Sequence, residues 1–419
     1  MLDLNFIREN IDLIKRNSAD RLASVDLDAL LRLDEERRSL IGEIEVLRRE
    51  RNDASKSKPT PEQIASLKAV GDKISTLEDK EASVAAELKK ILLAVPNLTH
   101  PEVKVSNDED DNPVLETVGS VPTFDFTPKD HVELGEALGL IDLERGAKVA
   151  GAKFFFLKGD LARLSLALSN YALDVVLKHG FTLMATPDIA KTDIIENLGY
   201  NPRGDSSQVY EIANSDLSLI GTGEITLGGY HGDEVLPAEK LPLRYAAWTH
   251  CFRTEAGAYS KFSKGIFRVH QFDKVEMFVY CTPEQADALH MEMLEIQKEI
   301  FAGLDIPFRV IDHCTADLGN PAFRTYDLEA WMPGKPNKEG GMGDWAEITS
   351  TSNCTDYQSR GLNIKYKDAE GKKFVYTLNG TGVAVTRALI AVMENHQQAD
   401  GSIRIPDGLK KYLPFTEIK

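Results

Sequence analysis

The stretch Cys251-Phe252-Arg253-Thr254-Glu255-Ala256-Gly257 leads into a basic loop. Phe267-Arg268-Val269-His270-Gln271-Phe272-Asp273-Lys274-Val275-Glu276 follows it. Arginines and carboxylates stand here among strand-forming residues, and charge is costly in a buried strand unless it is paired. The pattern predicts strands over 266–272 and 274–280. Further along, 308–311, 324–332 and 363–366 have the same character. Residues 161–177 carry apolar side chains at helical spacing, before a turn and strand at 180–184 that ends at Pro187. Strands follow one another as hairpins more than they alternate with helices. The expected class is therefore α+β, with a mostly antiparallel sheet flanked by helices. No GxxxxGK[ST] occurs and no GxGxxG follows a strand, so neither a P-loop nor a Rossmann site is indicated.

Two more clusters place charge in segments that read as buried. Thr222-Gly223-Glu224 follows the apolar 217–220, and Asn379-Gly380-Thr381-Gly382 leads through Val383-Ala384 to Arg387. Arg253 and Arg268 flank a loop containing Lys261 and Lys264. On paired strands their guanidiniums would face one cleft, with Arg387 as a third planar phosphate donor. Glu255, Glu276 and Glu347 could hold a magnesium ion, an amine or a hydroxyl among them. Such a pocket suits nucleotide chemistry, but structural ion pairs in a sheet gather the same charges. The residue types alone leave the two readings even.

The first hundred residues differ from the rest. Leu33, Leu40 and Leu47 are seven apart; Leu30 and Ile44 belong to an offset series with Arg37 and Arg51 in its gaps. Leu67, Ile74, Leu88 and Val95, interrupted by Glu81, run beside Val70, Leu77, Val84 and Ile91. These are two a/d seams, split by Pro59 and Pro61, and they predict an antiparallel coiled coil over about 27–95. Its first helix would be about 40 Å long. Near the turn, Arg48, Arg49, Arg51, Lys56 and Lys58 face only Glu50 and Asp53. Such a tip suits a phosphate backbone, although a solvated coiled-coil surface carries similar charge.

The 419 residues suggest two or three domains. We expect a helical arm over 1–105, an acidic breaker-rich linker over 106–126 and a large body over 127–419. Hydrophobic residues at 42% and charged residues at 27% argue for a folded globular chain. No apolar run approaches eighteen residues, so no membrane contact is expected. The first residues lack a basic, apolar leader, so the expected location is cytoplasmic. Cys251, Cys281, Cys314 and Cys354 form no CxxC pair, and His313-Cys314 lacks a matching pair; no zinc is expected. A net charge of −17 argues against nucleic acid only if it is evenly spread.

Order and spelling separate the readings. Phe252-Arg253-Thr254-Glu255 with Arg268-Val269-His270-Gln271-Phe272 resembles motif 2 of the class II aminoacyl-tRNA synthetases. Asn379 to Arg387 resembles motif 3, and 161–187 resembles the dimer-forming motif 1. With Thr349-Ser350-Thr351-Ser352-Asn353-Cys354-Thr355-Asp356-Tyr357-Gln358-Ser359-Arg360 and the arm, the resemblance is to the seryl-tRNA synthetases, over nearly the whole chain.

This resemblance implies a homodimeric serine–tRNA ligase that uses L-serine, ATP with Mg²⁺, and tRNA(Ser); tRNA(Sec) stays open. It implies catalytic roles for Arg253, Glu255 and Arg387. Serine would be bound by Thr222, Gly223, Glu224, Glu276 and Thr381. ATP would be bound by Arg253, Thr254, Glu255, Val269, Phe272, Glu347, Ile348, Thr349, Ser350 and Arg387. The metal would sit on Glu347 and Ser350, and the arm with its basic tip would grip tRNA. Gly223 stands where alanine is common, and the motif 2 loop 258–264 is poorer in arginine than in many members. Three other classes remain at this point: a carrier-protein ligase, whose relatives lack the long arm; an inactive paralogue, which would have lost Arg253, Glu276 or Arg387; and a structural coiled coil, which leaves the charged clusters without a role.

Overall fold

The computed structural model describes residues 1–54, 60–200, 208–256 and 262–419. The chain divides into two compact units, Met1–Pro96 and Asn97–Lys419.

The first unit is helical: α1 (Leu4–Glu9), α2 (Ile11–Asp20), α3 (Leu27–Ala54) and α4 (Pro61–Ala94). The sequence reading covered the two long helices and did not resolve α1 and α2. Asp3 caps α1, accepting from the Asn5 and Phe6 amides at 2.8 and 3.0 Å. Thr60 and Gln63 form a capping box that starts α4, with Pro61 just inside it. Leu30, Leu40 and Ile44 of α3 and Ile74, Val84 and Leu88 of α4 are buried, as the seams require. The charged interruptions of the two seams answer each other: Arg37 Nε donates to Glu81 Oε1 at 2.8 Å. Further cross-helix pairs join Glu36 to Lys80, Glu43 to Lys73 and Arg48 to Glu78. Asp34, nearly fully buried, is neutralised by Arg8 at 2.6 Å and Arg38 at 3.1 Å.

The second unit is built on an eight-stranded sheet. Its strands are β1 (Val114–Val118), β2 (Thr182–Met184), β3 (Leu243–Phe252), β4 (Gln271–Cys281), β5 (Phe308–Asp312), β6 (Arg324–Pro336), β7 (Met342–Asn353) and β8 (Tyr376–Ala384). Their order across the sheet is β1-β5-β6-β7-β8-β4-β3-β2. Every pair is antiparallel except β2 with β3. Helices α5 (Gly159–Lys178), α6 (Pro283–Gly303) and α7 (Val385–Asn395) cover one face. Along β4, Val275, Met277 and Val279 enter the core beneath these helices. Phe278 and Tyr280 enter a second cluster, with Ile225, Leu227 and Ile364. Strand alternation therefore puts Lys274 and Glu276 on the face away from the long helices.

Two expectations are corrected. Residues 266–270 are turn and bend, and the strand begins at Gln271. This segment carries its buried side chains in succession: Ile266 and Phe267 both lie in the core, which strand alternation forbids. The stretch 106–126 is not a bare linker, because Val114–Val118 pairs with β5 as the edge strand. Its exposed, breaker-flanked residues carry no alternation because an edge strand at this position buries little. All four cysteines are buried, and none is joined in a disulfide. Among the described residues no helix is long and apolar enough to cross a membrane.

Candidate active site

Glu276 and Lys274 lie two apart on β4, both buried. Lys274 Nζ pairs with Glu276 Oε2 and also donates to Thr222 Oγ1 at 2.8 Å. Thr222 Oγ1 in turn lies 3.3 Å from Glu276 Oε2. Both donors therefore use the same carboxylate oxygen. Thr381 is the direct cross-strand neighbour of Glu276 on β8. Gly223 lies so close to this group that an added Cβ would stand 3.1 Å from Glu276 Cβ and 3.3 Å from Thr249 Oγ1. Glycine or a slightly accommodated alanine fits there, and a longer side chain does not.

Glu224 opens the short helix Glu224–Gly229 and is buried. Three donors converge on its carboxylate: Tyr200 OH at 2.5 Å, Gln358 Nε2 at 2.6 Å and Asn379 Nδ2 at 3.0 Å. Burial, reinforced by the charge of Glu276, still raises its pKa above the ordinary glutamate value. A buried carboxylate in this condition favours a cationic ligand.

The motif 2 residues lie at the ends of β3 and β4 rather than within paired strands. Arg253 NH donates to His270 O at 2.9 Å, and His270 Nδ1 lies 2.9 Å from Arg253 O. This closes the base of the loop. The Arg253 guanidinium donates to Gly221 O at 3.0 Å and lies over the Phe272 ring, 5.4 Å from its centroid. Glu255 occupies a left-handed backbone at φ 52°, rare for a residue with a side chain, and faces Arg268 at 3.4 Å. Thr254 NH donates to Gln208 O at 3.1 Å, and Val269 is buried. Lys261 of this loop, with Lys56 and Lys58 of the arm, lies outside the described residues. Arg48, Arg49 and Arg51 are exposed on the last turns of α3.

Arg387, on α7, pairs with Glu347 at 2.8 Å, donates to the Glu347 carbonyl at 3.0 Å, and stacks over Phe267. Although burial works in the opposite direction, Arg387, with help from His313 and Arg253, holds Glu347 below the ordinary glutamate range. In a regular strand, residues three apart face opposite ways, so Glu347 and Ser350 would diverge. Here the pairing of β7 with β6 slips at Leu328/Glu329. Ser350 is opposite Asp327 and Glu347 is opposite Glu329, which puts both on one face. Ile348, the residue skipped, enters the helix-side core; Thr349 is buried. Glu255, Glu276 and Glu347 thus have separate partners and do not form one carboxylate group. Among the described residues no three His, Cys, Asp or Glu side chains form a metal cage. An ionised carboxylate on the same strand face as a hydroxyl fits a Mg²⁺ ion that takes its other ligands from phosphates and water.

A family model described as the seryl-tRNA synthetase N-terminal domain matches residues 1–99. One described as the class II tRNA synthetase core domain (G, H, P, S and T) matches 209–396. A serine–tRNA ligase of Treponema denticola is 51% identical over all of both chains. The chain belongs to the seryl-tRNA synthetase family. Seryl-tRNA synthetase relatives include one from Rubrobacter xylanophilus, 47% identical over 99% of this chain and 98% of its own. The crystal structure of seryl-tRNA synthetase from Pyrococcus horikoshii complexed with ATP is 38% identical. It has a TM-score of 0.86 over 100% of this chain and 99% of that one. The cytoplasmic serine–tRNA ligase of Naegleria fowleri in complex with AMP is 31% identical. Its TM-score is 0.85, over 100% of this chain and 99% of that one. As a seryl-tRNA synthetase, the chain is an ATP-dependent serine–tRNA ligase.

Sequence reasoning assigned no role to Lys274, Tyr200, Gln358 or Asn379. Lys274 was findable, since its offset of two from Glu276 puts both on one strand face. Tyr200 and Gln358 reach Glu224 only through tertiary packing.

Proposed function

We propose that the two halves of this site divide the chemistry of serine activation. The Thr222, Glu224, Glu276 and Thr381 half receives serine. Glu224 meets the substrate ammonium, and Glu276, oriented by Lys274 and Thr222, accepts the substrate hydroxyl. Thr381 and the close wall at Gly223 limit the space around the side chain. The Arg253, Glu255, Val269, Phe272 and Arg387 half receives ATP. Phe272 stacks on adenine, Arg253 and Thr254 lie at the α-phosphate, and Arg387 lies at the far phosphates. The serine carboxylate attacks the α-phosphorus and expels pyrophosphate. A ribose hydroxyl of the tRNA end then attacks the carbonyl of the adenylate and releases AMP. Arginines fixed before reaction stabilise the charge that accumulates on phosphoryl oxygens. Bound Mg²⁺ would supply further charge neutralisation at the phosphates, held by Glu347 and Ser350 beside Ile348 and Thr349. The arm, residues 1–105, would hold tRNA through Arg48, Arg49, Arg51, Lys56 and Lys58, with 127–419 as the catalytic part. A homodimer and a cytoplasmic location belong to the same proposal.

The carrying observation is the pair of buried carboxylates, Glu224 and Glu276, near enough for one charge to act on the other yet held by different partners. One is surrounded by neutral donors and suits an ammonium; the other is tied through a single oxygen and suits a hydroxyl. ATP–pyrophosphate exchange without tRNA, run with serine, threonine, alanine and glycine, tests this. Exchange should occur with serine alone. Equal exchange with alanine would remove the role given to Glu276.

A further inference from the structure

Asp327 is a buried carboxylate that this division of labour leaves unused. It lies on β6 directly opposite Ser350, on the face that also carries Glu347. As direct cross-strand neighbours on one face, the Asp327 carboxylate and the Ser350 hydroxyl stand within reach of each other, and the charge of Glu347 is close enough to act on Asp327. Asp327 Oδ2 lies 3.0 Å from Nε2 of His313, itself buried. The other ring nitrogen of His313 is engaged by Asp317, 3.1 Å from its carbonyl and 3.3 Å from its carboxylate. The imidazole thus has a carboxylate on each side. Asp327 Oδ1 is buried and meets no hydrogen-bond donor among the described residues. An isolated buried carboxylate oxygen is costly, so it is kept where a ligand or its water completes it.

We propose that Asp327, braced by His313, is a positioning residue for the metal-bearing end of the nucleotide site. It orients the Ser350 hydroxyl from behind, so that a divalent ion on Ser350 and Glu347 is bound more tightly. This rests on the ATP-site reading above and extends it to residues that do not touch the substrate. Groups that orient metal ligands from behind typically change affinity about ten- to a hundredfold when removed.

The test is Mn²⁺ binding to the full-length protein with a non-hydrolysable ATP analogue, followed by electron paramagnetic resonance of free Mn²⁺. Asp327→Asn should weaken Mn²⁺ affinity by about tenfold or more. His313→Gln, which leaves the carboxylate in place, should act in the same direction with a smaller effect. Serine KM should stay near wild type in both, and circular dichroism checks the fold. Wild-type Mn²⁺ affinity in a folded Asp327→Asn protein overturns the proposal. If that variant does not fold, wild-type affinity in His313→Gln overturns it. A rise confined to serine KM also overturns it. Absence of serine-dependent exchange in the wild type would instead refute the underlying site reading.

Discussion

Glu224 combines burial, the nearby charge of Glu276 and three neutral donors, and these act in opposite directions on its proton. Burial wins, so the free enzyme takes up that proton above the ordinary carboxylate range. The ionised form is the one that can hold an ammonium. kcat/KM for serine should therefore fall on the acid side at a pH above 4.5, the ordinary glutamate value. A pH profile with its acid limb at or below that value would contradict the role of Glu224. Gln358 donates at 2.6 Å and favours the charged form. Gln358→Leu should move the acid limb further upward and raise serine KM. A hydrogen bond to a charged group is worth about 1.5–3 kcal/mol, or roughly ten- to a hundredfold. ATP KM should change little. Glu276→Ala should likewise raise serine KM far more than ATP KM, which steady-state exchange kinetics would show. Of the residues around these carboxylates, Thr222, Glu224 and Glu276 were legible from spelling. Gln358 and Tyr200 were not, because they lie far along the chain from Glu224 and nothing local marks them as its partners.

At the scale of elements, the helix Tyr357–Gly361 exists to be packed closely. A Cβ on Gly361 would lie 2.1 Å from the carbonyl oxygen of Asn197, a backbone atom with no freedom to leave. Gly361→Ala should cost about 1–3 kcal/mol by overpacking. It should also weaken serine binding through displaced Gln358; thermal unfolding and serine KM report the two effects. The coiled coil offers a contrast. Leu88 is 3% exposed in the seam, and Leu88→Ala should cost about 2–5 kcal/mol. Its effect on function should fall on tRNA charging, with serine-dependent pyrophosphate exchange preserved. Parallel loss of both activities would show that the seam supports more than the arm. The heptad positions and helix limits of this arm were readable because each seam is local. The Arg37–Glu81 pair was visible only as two unexplained interruptions, since neither residue names its partner.

The whole molecule consists of one unit with a helical hairpin and another that holds every proposed serine and ATP contact. Removal of 27–95 should therefore spare serine-dependent exchange and abolish tRNA aminoacylation. Sedimentation at micromolar concentration should give about twice the 46.5 kDa chain mass; a species at the chain mass would contradict the homodimer.

The periodic seams, the antiparallel strand succession and the spelling of the three charged clusters carried the class, the arm and the family. They could do so because hydrophobic period and residue type are local properties of the chain. The common face of Glu347 and Ser350 was beyond their reach. Three residues apart on a strand, the two should diverge. They come together because β7 slips one residue against β6, and only the pairing of distant strands determines where such a bulge falls. The placement of His313 between Asp327 and Asp317 has the same origin, because the desolvation that makes those charges seek each other arises once the sheet has closed around them.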